Sequence, residues 1–97
     1  MRFELIGSHL CVNTMYSLVK CREAGLDFYF TDLSASLLDL KVFLSLHEHH
    51  EVYAARREES ALPDYVEEGH IGLPCFRFED GTVTLDLAEA MRKAREE

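Results

Sequence analysis

Apolar residues recur along the chain in short runs whose spacing switches between strand and helix periodicity. Arg2 to Gly7 (RFELIG) holds apolar residues at positions 3, 5 and 6 and closes on glycine, the form of a short strand ended by a turn. Ser8-His9-Leu10 forms the loop that follows. Val12, Met15, Tyr16 and Val19 then fall at i, i+3, i+4 and i+7, which predicts an amphipathic helix with that stripe facing the core, and Ala24-Gly25 supplies its stop. Leu26 to Thr31 (LDFYFT) is dense in aromatic residues and predicts a second strand, parallel to the first because a helix joins them.

Ser36-Leu37-Leu38-Asp39 has capping-box form, a hydroxyl at the N-cap with an acid three residues on. It opens a helix whose Leu37, Leu40, Phe43 and Leu44 share one face. The charged stretch HEHHEVYAARREES continues that helix past position 50 and frays it near 59, and Leu62 to Val66 adds a turn with Pro63 at its first position. Leu73 to Glu79 and Thr82 to Leu87, separated by Asp80-Gly81, read as a β-hairpin. Leu87 to Arg95 closes the chain with a helix that turns Leu87, Ala90 and Met91 inward. The order β-α-β-α-(α)-β-β-α, with a parallel first pair and an antiparallel last pair, fits one mixed four-stranded α/β sheet flanked by helices.

Composition narrows the possibilities. Ninety-seven residues, 47% of them hydrophobic and 29% charged, make one small domain over residues 1–97, with no linker or repeat. Eighteen acidic against ten basic residues give a net charge of −8, which argues against nucleic acid or an anionic membrane as partner. No run approaches the ~20 apolar residues of a bilayer span and the first ten residues lack a signal-peptide pattern, so the expected location is cytoplasmic. Cys11, Cys21 and Cys75 are an odd number at irregular spacing, unlike a secreted disulfide framework or a paired zinc motif.

Position separates the three cysteines. Cys11 stands at the head of the first helix, where unpaired N–H groups and the helix dipole favour the thiolate and make it nucleophilic. Thr14, one turn on, is placed to donate its hydroxyl hydrogen to that thiolate. The same pattern also suits an inert buried Cys11 with Thr14 on a solvated face. Cys21 lies ten helical residues further, about 15 Å away against the ~7 Å limit between disulfide-linked Cα atoms, and reads as packing. Pro74 at the start of an apolar strand marks an edge, a bulge or a cis bend. If that strand lies beside the first, Cys75 approaches Cys11 as a resolving thiol; otherwise it points into the core. His47, His49, His50, Glu48 and Glu51 read as a solvated, pH-sensitive helix end, with no metal expected. His9 is placed either to pair with the thiolate or in an exposed loop.

The cysteine at a helix start after the first strand, the Gly72-Leu73-Pro74-Cys75-Phe76 run and the Asp-Gly hairpin before a final helix resemble the glutaredoxin branch of the thioredoxin-like fold over nearly the whole chain. The likeness is strongest to small bacterial glutaredoxin-related proteins with a Gly-Ser-His-Leu-Cys motif. It implies a cis proline at Pro74 and thiol-disulfide exchange through Cys11 on disulfide-containing or glutathionylated proteins or small thiols, with no cofactor beyond glutathione as possible co-substrate. It also implies substrate contacts from Asn13, the Leu73 backbone beside Pro74, and Asp86. The chain departs from the family at three places. Cys11-Val12-Asn13-Thr14 lacks a second cysteine and is monothiol in type, Ser8 stands where the family has lysine, and Thr84-Leu85 replaces a glycine pair. The competing reading is a non-catalytic module of the same fold that binds a peptide or shares an iron–sulfur cluster.

Overall fold

A computed structural model describes residues 1–96. Strand β1 (Phe3–Gly7) is followed by helix α1 (Val12–Glu23), β2 (Phe28–Asp32) and α2 (Leu37–His49). A 3-10 turn (Glu51–Tyr53), α3 (Ala54–Ser60) and α4 (Tyr65–Glu68) lead to β3 (Cys75–Phe78), β4 (Val83–Thr84) and α5 (Leu87–Ala94). The strands form one sheet in the order β2-β1-β3-β4. Strand β1 pairs with β2 in parallel and with β3 in antiparallel, and β3 pairs with β4 in antiparallel, as expected for this mixed α/β sheet. Gly81, at a φ of 89°, makes the predicted hairpin turn where a side chain would be strained. The Leu73–Pro74 peptide bond is cis.

Alternation along the strands sends residues to two cores. Phe3, Leu5, Phe76 and Phe78 meet Leu18 and Cys21 of α1 and Ala90 of α5 on one face, with Phe3 stacked on Phe28 at 5.3 Å between ring centroids. Ile6 and Cys75 meet Phe43, Leu46 and Tyr53 on the other. Beyond the cover of α2, the Glu4 carboxylate is buried. It accepts from Arg77 at 2.9 and 2.6 Å and from the Thr31 hydroxyl at 2.6 Å, the partners a buried carboxylate needs.

Four expectations fail locally. The stripe Val12, Met15, Tyr16 and Val19 faces solvent, and α1 instead buries Thr14, Ser17, Leu18 and Cys21. Helix α2 buries Phe43 and Leu46 while Leu37 is 79% exposed and Leu44 also lies outside, because the Tyr53 ring meets Phe43 edge-on at 5.8 Å and turns the helix towards it. The long helix also breaks at His50, which turns to an extended ψ of 139° and caps the 3-10 turn by accepting the Val52 N–H at its Nδ1. Arg57 completes the break by donating to the carbonyls of His47 and His50 at 2.8 and 2.9 Å. Pro63 precedes α4 rather than opening it. No helix is long and apolar enough to cross a membrane among the described residues.

Candidate functional site

Cys11 is the N-cap residue of α1, with extended backbone (φ −99°, ψ 122°). Its N–H donates to the Ser8 carbonyl at 3.0 Å and its carbonyl accepts the Met15 N–H at 3.1 Å. The sulfur makes no capping hydrogen bond, so the first-turn N–H groups of α1 have no acceptor in the N-cap side chain. All three cysteines are free thiols, and Cys11 alone among them is not buried.

The loop that presents Cys11 is braced from the end of β2. The buried Ser8 hydroxyl pairs with the Ser34 hydroxyl and accepts the Leu10 N–H at 3.0 Å. Asp32 accepts from the Nδ1 of His9 at 2.7 Å and from the N–H of Ser34 at 2.9 Å. Burial works against the charge on Asp32. The Ser34 N–H and the His9 ring and N–H outweigh it and hold the carboxyl below its usual range. His9 is thus an exposed loop residue, tied to the Asp32 carboxylate and not to the Cys11 sulfur. Asp32 and Ser34 were not among the candidate residues, and their signal is the turn chemistry of Asp32-Leu33-Ser34 after a strand.

Across from Cys11 runs the segment Gly69 to Leu73. Cys11, Asn13, Leu33, Ser34 and this segment line one cleft of about 710 Å3. Two residues of the charged stretch fix the far wall. The buried Tyr53 hydroxyl donates to the Gly72 carbonyl at 2.7 Å, and the Glu59 carboxylate accepts the His70 N–H at 2.6 Å. Gly72 is at a φ of 92°, and a Cβ there would lie 2.6 Å from the Tyr53 ring, so only glycine fits. Burial, with the neighbouring Cys75 thiol, pushes the Tyr53 hydroxyl far above its usual range and keeps it a neutral donor. Tyr53 and Glu59 therefore hold in place the segment that lines one side of the cleft, without lining it themselves. His47 packs against the Tyr53 ring, 5.2 Å between centroids.

The remaining candidates separate. Asn13 and Leu73 line the cleft with Cys11, and Pro74 is buried behind Leu73. Thr14 neither hydrogen-bonds the Cys11 sulfur, as expected of it, nor sits on a solvated face. It is fully buried with its side chain against Gly7, where its hydroxyl accepts the Ser8 N–H at 3.4 Å. Cys21 packs in the core, and burial raises its thiol. Cys75 is wholly buried in the core under α2, and burial pushes its thiol up to about 11 against the smaller lowering effects of the neighbouring Tyr53 hydroxyl and Arg77 charge. It lines no part of the cleft in this conformation, because β3 alternation points residue 75 towards α2. Asp86 caps α5, accepting the N–H groups of Ala88 and Glu89 at 2.9 and 3.4 Å, away from the cleft lining. Among the described residues no three His, Cys, Asp or Glu side chains stand together as a metal site.

No family model, curated protein or solved structure matches this chain. Its chemistry has to be read from the cleft. One accessible thiol faces an apolar wall there, with backbone N–H groups at the helix head beside it.

Proposed function

We propose that this protein is a monothiol thiol-disulfide oxidoreductase of the thioredoxin-like, glutaredoxin type. One observation carries the reading: the cleft contains Cys11, the half-exposed thiol at the head of α1, while Cys21 and Cys75 are buried. Support for the fold assignment comes from the strand order β2-β1-β3-β4 with α1 and α5 on one face and α2 on the other. Cys11 as thiolate attacks one sulfur of a substrate disulfide, a new S–S bond forms, and the second sulfur leaves as a thiolate that takes up a proton. A low-molecular-weight thiol such as glutathione then attacks the mixed disulfide, frees Cys11 and carries the oxidation away. An external thiol suits this step because Cys75 is shut in the core. Asn13 and the Leu73 backbone are the groups placed to hold the substrate.

The test is mass spectrometry after treatment with oxidised glutathione or iodoacetamide, alongside turnover of a small disulfide. The expected result is one adduct, on Cys11, and turnover that vanishes in Cys11→Ser. Adducts on Cys75 or Cys21 of the folded protein, or turnover that survives Cys11→Ser, would sink the proposal. An adduct without turnover favours the non-catalytic module.

A further inference from the structure

Helix α1 turns its more apolar stripe outward. Val12 is 82% exposed and Tyr16 58%, and with Leu10, Met15 and Val19 they line a trough of about 460 Å3 that includes Cys11. The sheet is not waiting for this face, since α1 already packs through Leu18 and Cys21. Five such side chains present on the order of 500 Å2, the scale at which an exposed apolar patch marks an interaction site.

Charge says what kind of partner suits it. None of the eighteen acidic residues falls between Ser8 and Arg22, which hold Lys20 and Arg22, while the whole chain carries −8. The Lys20 ammonium stands 5.5 Å from the centroid of the Tyr16 ring, at the edge of the trough. The nearby carboxylate of Asp32 is occupied by His9. A second copy, also at −8, brings like charge, and the stripe falls short of the ~800 Å2 per partner that a stable dimer buries. A short segment mixing apolar and acidic residues matches both the area and the charge.

We infer that the outer stripe of α1 docks an apolar, acidic segment of the polypeptide whose disulfide Cys11 attacks, an inference that rests on the exchange chemistry proposed above. The trough includes Cys11, so a segment lying along it brings its own sulfur to the thiolate. Cys11 forms the new S–S bond to that sulfur, and the other sulfur of the disulfide leaves as a thiolate and is protonated by water.

Two measurements keep docking and chemistry apart. Fluorescence anisotropy of the Cys11→Ser protein with a labelled Leu/Glu peptide reads docking alone, against a Leu/Lys peptide of equal length as control. Exchange by the unmodified protein is followed with the Leu/Glu peptide disulfide and with bis(2-hydroxyethyl) disulfide. The expected result is binding of the acidic peptide at least about tenfold tighter than the basic one, and a loss of about tenfold or more on Tyr16→Glu with Val19→Glu. The same pair of substitutions slows exchange with the peptide and leaves the small disulfide unchanged. Equal binding of both peptides, binding indifferent to the substitutions, or an α1-mediated dimer by sedimentation would overturn the inference. Failure with the small disulfide alone overturns the exchange chemistry instead, and leaves docking to the anisotropy result.

Discussion

Helices α1 and α5 cover the same face of the sheet, and they do so by opposite choices. In α5 the apolar residues Leu87, Ala90 and Met91 turn inward, as the periodicity predicts. In α1 two stripes of identical spacing compete: residues 12, 15, 16 and 19, and residues 14, 17, 18 and 21. They are offset by two positions, about 200° around the helix, so burying one exposes the other. The structure buries the less apolar stripe. Five phenylalanines on the sheet face already supply bulk, and a Cβ on Gly7 would lie 2.5 Å from the Thr14 side chain, so close is its approach to α1. Small inward residues let the helix sit against that surface, as close packing requires. The helix ends differ as well. Asp86 caps α5 with two hydrogen bonds, whereas the N-cap of α1 is a cysteine that makes none. One helix end is built for stability and the other leaves its sulfur unbound.

Four expectations probe this contrast, the largest first. Leu18→Ala is expected to cost about 2–4 kcal/mol in chemical denaturation and Val19→Ala within about 0.5, because only the first opens a cavity. Equal losses would mean that the helix packs the other way round. Gly7→Ala is expected to cost about 1–3 kcal/mol through its clash with Thr14, and a double-mutant cycle with Thr14→Ala should recover part of that loss. Strict additivity would remove the close approach from the explanation.

At the caps, Asp86→Ala is expected to lose about 1 kcal/mol by thermal unfolding. Cys11→Ser should gain about 0.5–1 while abolishing exchange, since serine can accept the N–H groups that the sulfur leaves unbound. A destabilised Cys11→Ser protein would contradict an uncapped helix head. The smallest effect concerns acid. The folded-state pKa of Asp32 lies below the ordinary ~3.9, so its contribution to stability is complete above that value and is lost as pH falls through the lower folded value. Asp32→Asn is therefore expected to narrow the difference in urea midpoint between neutral and strongly acidic solution, and an unchanged difference would show that the His9 brace does not matter to folding.

Much of the molecule was legible in the chain. Gly25 and Gly81 take positive φ at the places where turns were predicted, Ser36 caps α2 through its hydroxyl, and the aromatic run Phe28 to Phe30 forms a strand beside β1. These are local matters of turn chemistry, capping and period, resolved within a few residues. The candidate site was half legible. Cys11, Asn13 and Leu73 come together, and Cys21 packs as expected. Tyr53 is buried, as its place in the charged stretch suggests, but the roles of Asp32, Ser34, Tyr53 and Glu59 at the site were not legible because each acts on a segment distant in sequence, as when Tyr53 reaches Gly72 nineteen residues on.

By itself, then, the sequence determined the strands, the helices outside the stretch after His49, their order and the single cysteine at a helix head, because spacing and caps act over one or two turns. Only the tertiary structure decided which stripe of α1 faces the sheet, that Cys75 turns towards α2, and that Tyr53 and Glu59 fix the cleft-lining segment Gly69 to Leu73. Those outcomes depend on how volumes fit between elements far apart in the chain, and local periodicity carries no record of the surface a helix will meet.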